Sequence, residues 1–261
     1  MIRTISATRY VTPLREGGSM PAIVEADDLG LYVLKFRGAG QGVLALAAEL
    51  ICAGIGRALD LPVPEVVFAT VDAELGRNEG DPEIQALLQA SLGNNLAMDY
   101  LPGSAMFDPA ARDLVDPALA SSTVWFDAFI TNVDRTARNP NLLCWHRSLY
   151  LIDHGAALYF HHDWSDLDTR ARTRFPMIKD HVLLRWANGI EAADARLRPR
   201  LTRDVLEQIL QQVPDEWLVR ESIASTPDAK RAGYVDYFMT RLEVAASTFV
   251  EEAIQARARF V

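Results

Sequence analysis

The sequence is poor in cysteine, and the two cysteines present have no partners nearby in the chain. Cys52 and Cys144 are the only cysteines among 261 residues, and both lie in apolar surroundings. Such residues are typical of buried thiols in a reducing compartment, and they do not form a disulfide framework or a cysteine-rich metal site. We therefore expect a cytoplasmic protein without disulfides.

Long uncharged apolar runs are also missing. The strongest apolar segment, residues 43–56, is interrupted by Glu49 and is shorter than a membrane span. The first residues, Met1–Ile5, lack the apolar core of a signal peptide. We therefore expect no membrane insertion.

Positive charge is in deficit. The chain has 26 Lys and Arg residues against 35 Asp and Glu, which gives a net charge of −9. A broad nucleic-acid interface needs a surplus of cations, so no nucleic-acid partner is expected. The composition, 49% hydrophobic and 23% charged, is that of a folded globular protein. Its length allows one large domain or two lobes that share a core.

Several motifs of common enzyme classes are absent from the sequence. There is no Gly-x-Ser-x-Gly elbow, no Gly-x-Gly-x-x-Gly loop, no His-Glu-x-x-His and no Cys-x-x-Cys. His161 and His162 follow His154 closely, so a histidine-bound metal is conceivable. Adjacent histidines in a strand point to opposite faces, however, and we favour no such site.

The most informative residues that are present form an ordered set of carboxylates and one amide. Asp134 is followed by Asn139 five residues later and by Asp153, which lies in the tetrapeptide 152–155, Ile-Asp-His-Gly. Mg-ATP phosphoryl transfer needs one carboxylate to orient or deprotonate a hydroxyl, here Asp134. It also needs an amide oxygen and a second carboxylate to hold the metal, here Asn139 and Asp153.

The segment between Asp134 and Asp153 predicts a β-hairpin. Residues 140–145 and 149–152 form two short apolar runs around a turn at residues 146–148. Such a hairpin would bring both carboxylates to the same end. The alternative is that Asp and Asn simply form turns, which accounts for any one of them but less well for the ordered set.

Upstream residues supply further parts of a nucleotide site. Lys35 lies in an apolar strand and could reach the α- and β-phosphates, and Glu49 on a following apolar helix is its natural partner. Alternatively, Lys35 is an edge-strand charge and Glu49 faces solvent. Gly17, Gly18 and Ser19 could present N–H groups to phosphates, although Gly-Gly also suits a hairpin turn.

Two more contacts are predicted around the nucleotide. Met98, Asp99 and Tyr100, in a strand before a Pro-Gly pair, could offer backbone groups to an adenine edge, or could form an ordinary strand. Arg135 directly follows Asp134, and we expect it to contact a phosphate or substrate anion. The alternative for Arg135, as for Arg138, is a solvated surface charge.

The order of elements predicts an α+β, bilobal, protein-kinase-like fold. A β-rich N-lobe over residues 1–102 would precede a mostly helical C-lobe over residues 103–261, with residues 101–103 as the hinge. The predicted strands are 8–13, 22–26, 31–36, 65–69 and 95–100. The predicted helices are 42–59, 82–91, 118–131, 180–188, 202–213 and 229–258, the last either continuous or broken once.

At these residues the chain resembles the HipA-like kinase family, relatives of the protein-kinase and phosphatidylinositol-kinase superfamily. The resemblance rests on segments 32–36, 61–65, 98–103, 127–135, 139–141 and 151–155 and on the Glu49 helix. It implies a bilobal kinase fold. It also implies an enzyme that uses ATP and Mg²⁺ to phosphorylate a hydroxyl of an unidentified protein or small-molecule substrate. By resemblance, Asp134 is the catalytic base, Asn139 and Asp153 are metal ligands, and Lys35 binds phosphate.

The chain departs from protein kinases proper in three places. Asn132 and Val133 stand where His-Arg would precede the catalytic Asp, His154 replaces the Phe of the Asp-x-Gly turn, and the region that is Gly-rich in protein kinases has only the pair Gly17 and Gly18 here. A conventional activation segment is therefore not expected. Nor is a toxin role, since we expect a chain of this length to be too short for the extra N-terminal domain of toxin kinases. Two alternatives are a nucleotide-binding pseudokinase without turnover and an AMP transferase that holds ATP reversed.

Overall fold

The structure, a computed structural model, describes residues 2–14, 20–77, 79–110, 115–219 and 226–260. The predicted phosphate loop, Gly17, Gly18 and Ser19, lies outside the described residues. Within them, a β-rich N-terminal part is followed by a helical C-terminal part, as predicted.

The N-terminal part is built on a small closed barrel with the strand order β1-β2-β3-β5-β4. All neighbouring strands are antiparallel except β1 and β4, whose parallel pairing closes the barrel. Alternate residues of β2 and β3 point inward, as the period of a strand requires. The strands are β1 Thr4–Pro13, β2 Ala22–Ala26, β3 Leu31–Lys35, β4 Val66–Val71 and β5 Gly93–Asp99.

Two helices accompany the barrel. Helix α1 spans Gly42–Ala58 and is buried on most of its surface, including the carboxylate of Glu49. Helix α2 spans Pro82–Ala90 and is capped at its N-terminus by Asp81, whose side chain accepts the N–H of Glu83 at 2.9 Å. Strands and helices of this part therefore agree with the sequence pattern to within a few residues.

The C-terminal part holds a three-stranded sheet and seven helices among its described residues. The sheet, in the order β6-β7-β8, contains β6 Ala105–Met106, β7 Leu142–Trp145 and β8 Ser148–Leu151, so the predicted hairpin is present. The α-helices are α3 Pro117–Phe129, α4 Leu167–Ala171, α5 Ile190–Leu197, α6 Arg203–Leu210, α7 Asp215–Leu218, α8 Pro227–Glu243 and α9 Phe249–Arg257. Short 3-10 helices occupy Tyr159–His162, Pro176–Asp180, Leu184–Trp186, Arg198–Arg200, Ala245–Ser247 and Ala258–Phe260.

One predicted helix is wrong. Residues 180–188 do not form an α-helix, because His181 leaves the helical region and pairs with Thr136 as an isolated β-bridge. Two 3-10 turns flank this bridge instead, so a tertiary contact overrides the local pattern. The predicted long helix 229–258 is broken once, between α8 and α9.

The packing joins α1 to the C-terminal part. The larger apolar core contains residues of α1, such as Leu50 and Ile51, together with Phe126 of α3 and Trp217 of α7. A smaller core fills the barrel. Glu49 is therefore positioned by both parts of the molecule. Among the described residues, no helix combines the length and apolarity needed to cross a membrane.

Candidate active site

Lys35 and Glu49 form the first ion pair of the site. Lys35 is the last residue of β3, and its Nζ lies 2.7 Å from Oε2 of Glu49, which α1 presents from its buried middle. Only 1% of Glu49 is exposed. A buried carboxylate is costly without a partner, so the pair accounts for a charge on an otherwise apolar helix.

Asp153 joins the same cluster from the C-terminal part. Its Oδ1 lies 2.8 Å from Lys35 Nζ, and its backbone is in the left-handed region at φ +55°. The next residue, His154, donates its backbone N–H to Glu49 Oε2 at 2.6 Å. Oε2 of Glu49 therefore binds both the strand lysine and the turn that carries Asp153. The side chain of Asp153 is 47% exposed.

Charge determines the protonation of this cluster. Burial favours neutral Lys35, but Glu49 and Asp153 outweigh it and raise the pKa of the ammonium above its ordinary value. Burial favours neutral Glu49 as well, yet the Lys35 charge and the hydrogen bond from His154 hold its pKa well below its usual range. At neutral pH the pair is ionised.

Asp134 lies on the loop between α3 and β7, with its carboxylate held by two amides. Oδ2 of Asp134 accepts the Nδ2 hydrogens of Asn139 at 2.9 Å and of Asn141 at 3.3 Å. The Asp134 N–H is donated to Oδ1 of Asn132 at 3.1 Å. The loop thus presents an oriented carboxylate, with an amide oxygen of Asn139 beside it.

Arg135 does not lie where the sequence predicted. Its side chain is fully buried behind the loop, and its Nε donates to Oδ2 of Asp127 at 2.6 Å. Its Nη1 donates to the carbonyls of Asn141 and Ile152. The prediction that Arg135 contacts a phosphate or substrate anion is wrong, because a guanidinium without exposed surface has no path to either.

Sequence reasoning missed the partners of Arg135. Asp127 on α3 accepts bonds from Arg135, from Asn132 at 2.9 Å and from His181 at 2.8 Å, and it is fully buried. A lone acidic residue in an apolar helix was a usable signal for Asp127. His181 is 46 positions after Arg135 and offered no signal, because only the tertiary fold brings it close.

A cleft of about 560 Å³ lies between the two parts and collects most of the predicted residues. The predicted residues that line it are Lys35, Met98, Asp99, Tyr100, Asp134, Asn139 and Asp153. Glu49 does not line it and only contacts Lys35, whereas Val33, Leu143 and Ile152 add apolar walls. Which of these residues contact a ligand stays a prediction.

The strand that borders the cleft already uses two of its N–H groups. Asp99 donates its N–H to the carbonyl of Glu65 at 2.8 Å, and Tyr100 donates to Leu31 at 3.0 Å. Backbone recognition of a base at this edge would therefore fall to other groups of the segment. Burial raises the pKa of the Asp99 carboxyl, and nearby Glu65 adds to that effect.

The Asp127–His181 pair makes stability depend on pH. Burial lowers the pKa of His181, although Asp127 opposes it, so folding favours the neutral ring. An unfolded histidine titrates near pH 6.5. The contribution of His181 to the free energy of unfolding is therefore complete above about pH 6.5. It is lost as the pH falls from there towards the lower pKa of the folded state. Asp127, with its pKa held low by Arg135 and His181 against burial, loses its contribution below about pH 4.

We expect the free energy of unfolding, measured with urea, to be lower at about pH 5.5 than at about pH 7.5. In His181→Gln, where the amide keeps a donor but does not titrate, the difference should shrink. An equal difference in both proteins would contradict the role assigned to His181.

Comparison with known proteins identifies the family to which this chain is similar. Residues 8–248 match the family model described as HipA-like kinase. No curated protein matches the chain significantly. Among solved structures, the chain resembles CtkA, a proinflammatory kinase of Helicobacter pylori, with 16% identity, a TM-score of 0.55 and alignment over 92% of this chain and 94% of that one.

Two structures of the Golgi casein kinase are more distant. One, with Mn/ADP bound, is 11% identical with a TM-score of 0.45 over 95% of this chain and 75% of that one. The other is 12% identical with a TM-score of 0.44 over 94% and 72%. At these identities the likeness to CtkA concerns the fold alone, and the likeness to the Golgi enzyme carries no further inference. Since the family match spans most of the chain, this protein belongs to the HipA-like kinase family.

Proposed function

We propose that this protein is an ATP- and Mg²⁺-dependent phosphotransferase that moves the γ-phosphate of ATP to a hydroxyl of a protein or small-molecule substrate. One observation carries the proposal: Lys35, paired with Glu49 and Asp153, lines the same cleft as Asp134 and Asn139. These groups have the chemistry to bind phosphates, hold a cation and take up a proton.

The nucleotide would occupy the cleft with its phosphates at Lys35. Glu49 keeps the ammonium in place, so that the charge is available without a conformational search. The apolar walls formed by Val33, Leu143 and Ile152 suit a flat base. In this pose Met98, Asp99 and Tyr100 border the base.

The donor set suits Mg²⁺. Asp153 has a second carboxylate oxygen beyond the one that meets Lys35, and Asn139 has an amide oxygen beyond the nitrogen bound to Asp134. No group of three or more His, Cys, Asp or Glu residues suited to a metal occurs in the described part of the chain. Mg²⁺ commonly takes one or two protein ligands and completes its shell with phosphates and water. When bound, it would offset the charge of the transferring phosphate.

Asp134 is the group placed to act on the acceptor hydroxyl. Its Oδ2 is held by Asn139 and Asn141, and its Oδ1 has no hydrogen bond among the described residues. Oδ1 can therefore accept the hydroxyl proton while Oδ2 keeps the carboxylate oriented. A fixed base of this kind lowers the entropic cost of reaction.

We further propose that the protein works in the cytoplasm without a nucleic-acid partner. Both cysteines are free thiols, Cys52 in the core and Cys144 half-buried, as suits a reducing compartment. The net charge of −9 disfavours binding to a polyanion.

Labelled ATP tests the proposal and separates its alternatives. The full chain is incubated with Mg²⁺ and ATP labelled on either the γ- or the α-phosphate, and transfer to protein, small molecules or water is measured. We expect transfer from the γ-label only, abolished by chelation of Mg²⁺. Transfer of the α-label would establish AMP transfer instead. ATP binding without any transfer would establish a pseudokinase.

A further inference from the structure

The strongest unexplained feature of the molecule is the buried ionic cluster behind the cleft. Asp127 and Arg135 form an ion pair with no exposed side-chain surface on either partner. Burying two charges costs several kcal/mol of desolvation by general estimates, and well-packed apolar residues often serve stability as well. Such a cluster therefore calls for a role beyond stability.

The contacts of Arg135 indicate that role. Its Nη1 donates to the carbonyl of Asn141 and, at 3.3 Å, to the carbonyl of Ile152. Asn141 holds the carboxylate of Asp134 through its side chain, and Ile152 directly precedes Asp153. One guanidinium thus reaches the backbone of both loops, the one that carries the base and the one that carries the metal ligand.

The remaining contacts fix Arg135 itself. Asp127 accepts its Nε, and His181 donates to the same carboxylate oxygen through Nε2 at 2.8 Å. The ring proton lies on Nε2 because Nδ1 accepts the N–H of Leu183 at 3.0 Å. The segment after His181 is also bonded to the base loop, since Val182 donates its N–H to the carbonyl of Arg135 at 3.1 Å.

We propose that Arg135 is a positioning residue that sets the relation between the Asp134 loop and the Asp153 loop, and that Asp127 and His181 hold Arg135 in place. This inference rests on the function proposed above. Arg135 touches neither substrate nor metal, and it acts by fixing where Asn139, Asp134 and Asp153 stand relative to one another. Supporting residues of metal sites typically change affinity by about 10- to 100-fold when they are replaced.

The chain offers a matched control in Arg241. This arginine is buried as well, and it donates to the backbone carbonyls of Ala128, Phe129, Ala171 and Thr173, none of which lines the cleft. Arg135→Lys and Arg241→Lys each keep the charge and lose the planar fork of donors. Both should lower the melting temperature, so a purely structural role predicts similar behaviour for the two.

The experiment measures ATP affinity by calorimetry with Mg²⁺ and with EDTA, and kcat and KM for γ-phosphate release. For Arg135→Lys we expect the gain in affinity from Mg²⁺ to fall by about tenfold or more, and kcat to fall by about a hundredfold. Affinity for metal-free ATP, which depends on Lys35, should stay within about threefold. Arg241→Lys should keep both the Mg²⁺ gain and kcat within about threefold of wild type.

The outcomes separate this inference from the function on which it rests. If wild type gains no ATP affinity from Mg²⁺, the proposed function fails and the inference fails with it. If wild type shows the gain and Arg135→Lys keeps it, the inference alone is overturned. Should Arg135→Lys not fold, Asp127→Asn decides on the same readouts, because it keeps the side-chain shape and removes the charge that holds Arg135.

Discussion

Replacement of Asp134 by alanine is expected to lower kcat for γ-phosphate transfer by about ten-thousand-fold, which corresponds to roughly 5.5 kcal/mol of activation free energy. In the proposed function Asp134 is the proton acceptor, and in the structure it also anchors Asn139, which donates to it at 2.9 Å. Losing the carboxylate therefore removes the base and loosens a metal ligand together. Rapid-quench measurement with γ-labelled ATP would detect the loss.

Nucleotide binding should survive this change. Lys35 and its partners Glu49 and Asp153 are untouched, so the affinity for ATP in EDTA should stay within about threefold of wild type. Asp236→Ala is a suitable control, because Asp236 is an exposed carboxylate on α8 paired with Arg203. Transfer by Asp134→Ala at the rate of this control would contradict the assignment of Asp134.

Replacement of Lys35 by methionine is expected to have the second large effect, this time on stability as well as activity. Glu49 would lose its cation while remaining buried, and breaking a buried ion pair from one side costs roughly 3–5 kcal/mol. Without the Lys35 charge, burial should raise the pKa of Glu49 in the variant. Glu49 can then take up a proton, which avoids part of that cost. Phosphate binding would be lost with the ammonium.

A double variant separates the two effects. In Lys35→Met/Glu49→Gln no buried charge is left unpaired, because Asp153, which also loses its bond to Lys35, has a side chain that is half-exposed to water. The free energy of unfolding, measured with urea at neutral pH, should therefore recover much of the loss. Activity should not recover, because the cation that we propose binds the phosphates is still missing. Recovery of activity in the double variant would show that Lys35 serves the fold alone. An undiminished stability of Lys35→Met would show that the ion pair contributes little.

The local parts of the fold could be predicted because their signals are local. Lys35 at the end of an apolar strand, Glu49 on an apolar helix and the hairpin between Asp134 and Asp153 each depend on residues a few positions apart. The spacing of apolar residues along the chain shows which face of a strand or helix is buried. The type of each element can therefore be predicted from that spacing. The closed barrel, by contrast, requires β1 to pair with β4 across some sixty residues, and no short-range pattern specifies that pairing.

The sequence by itself determined the residue types of the site, their order and the class of chemistry that they support. Only the tertiary structure decided where the side chain of Arg135 lies and what it contacts, because exposure and partners are properties of packing. The chain neighbour of Asp134 turns inward to Asp127, and His181 reaches the same carboxylate from a segment that the sequence predicts as helix. Long-range contacts of this kind compete with the local preference for a helix. In a buried polar cluster, the free-energy cost of an unpaired charge exceeds that local preference.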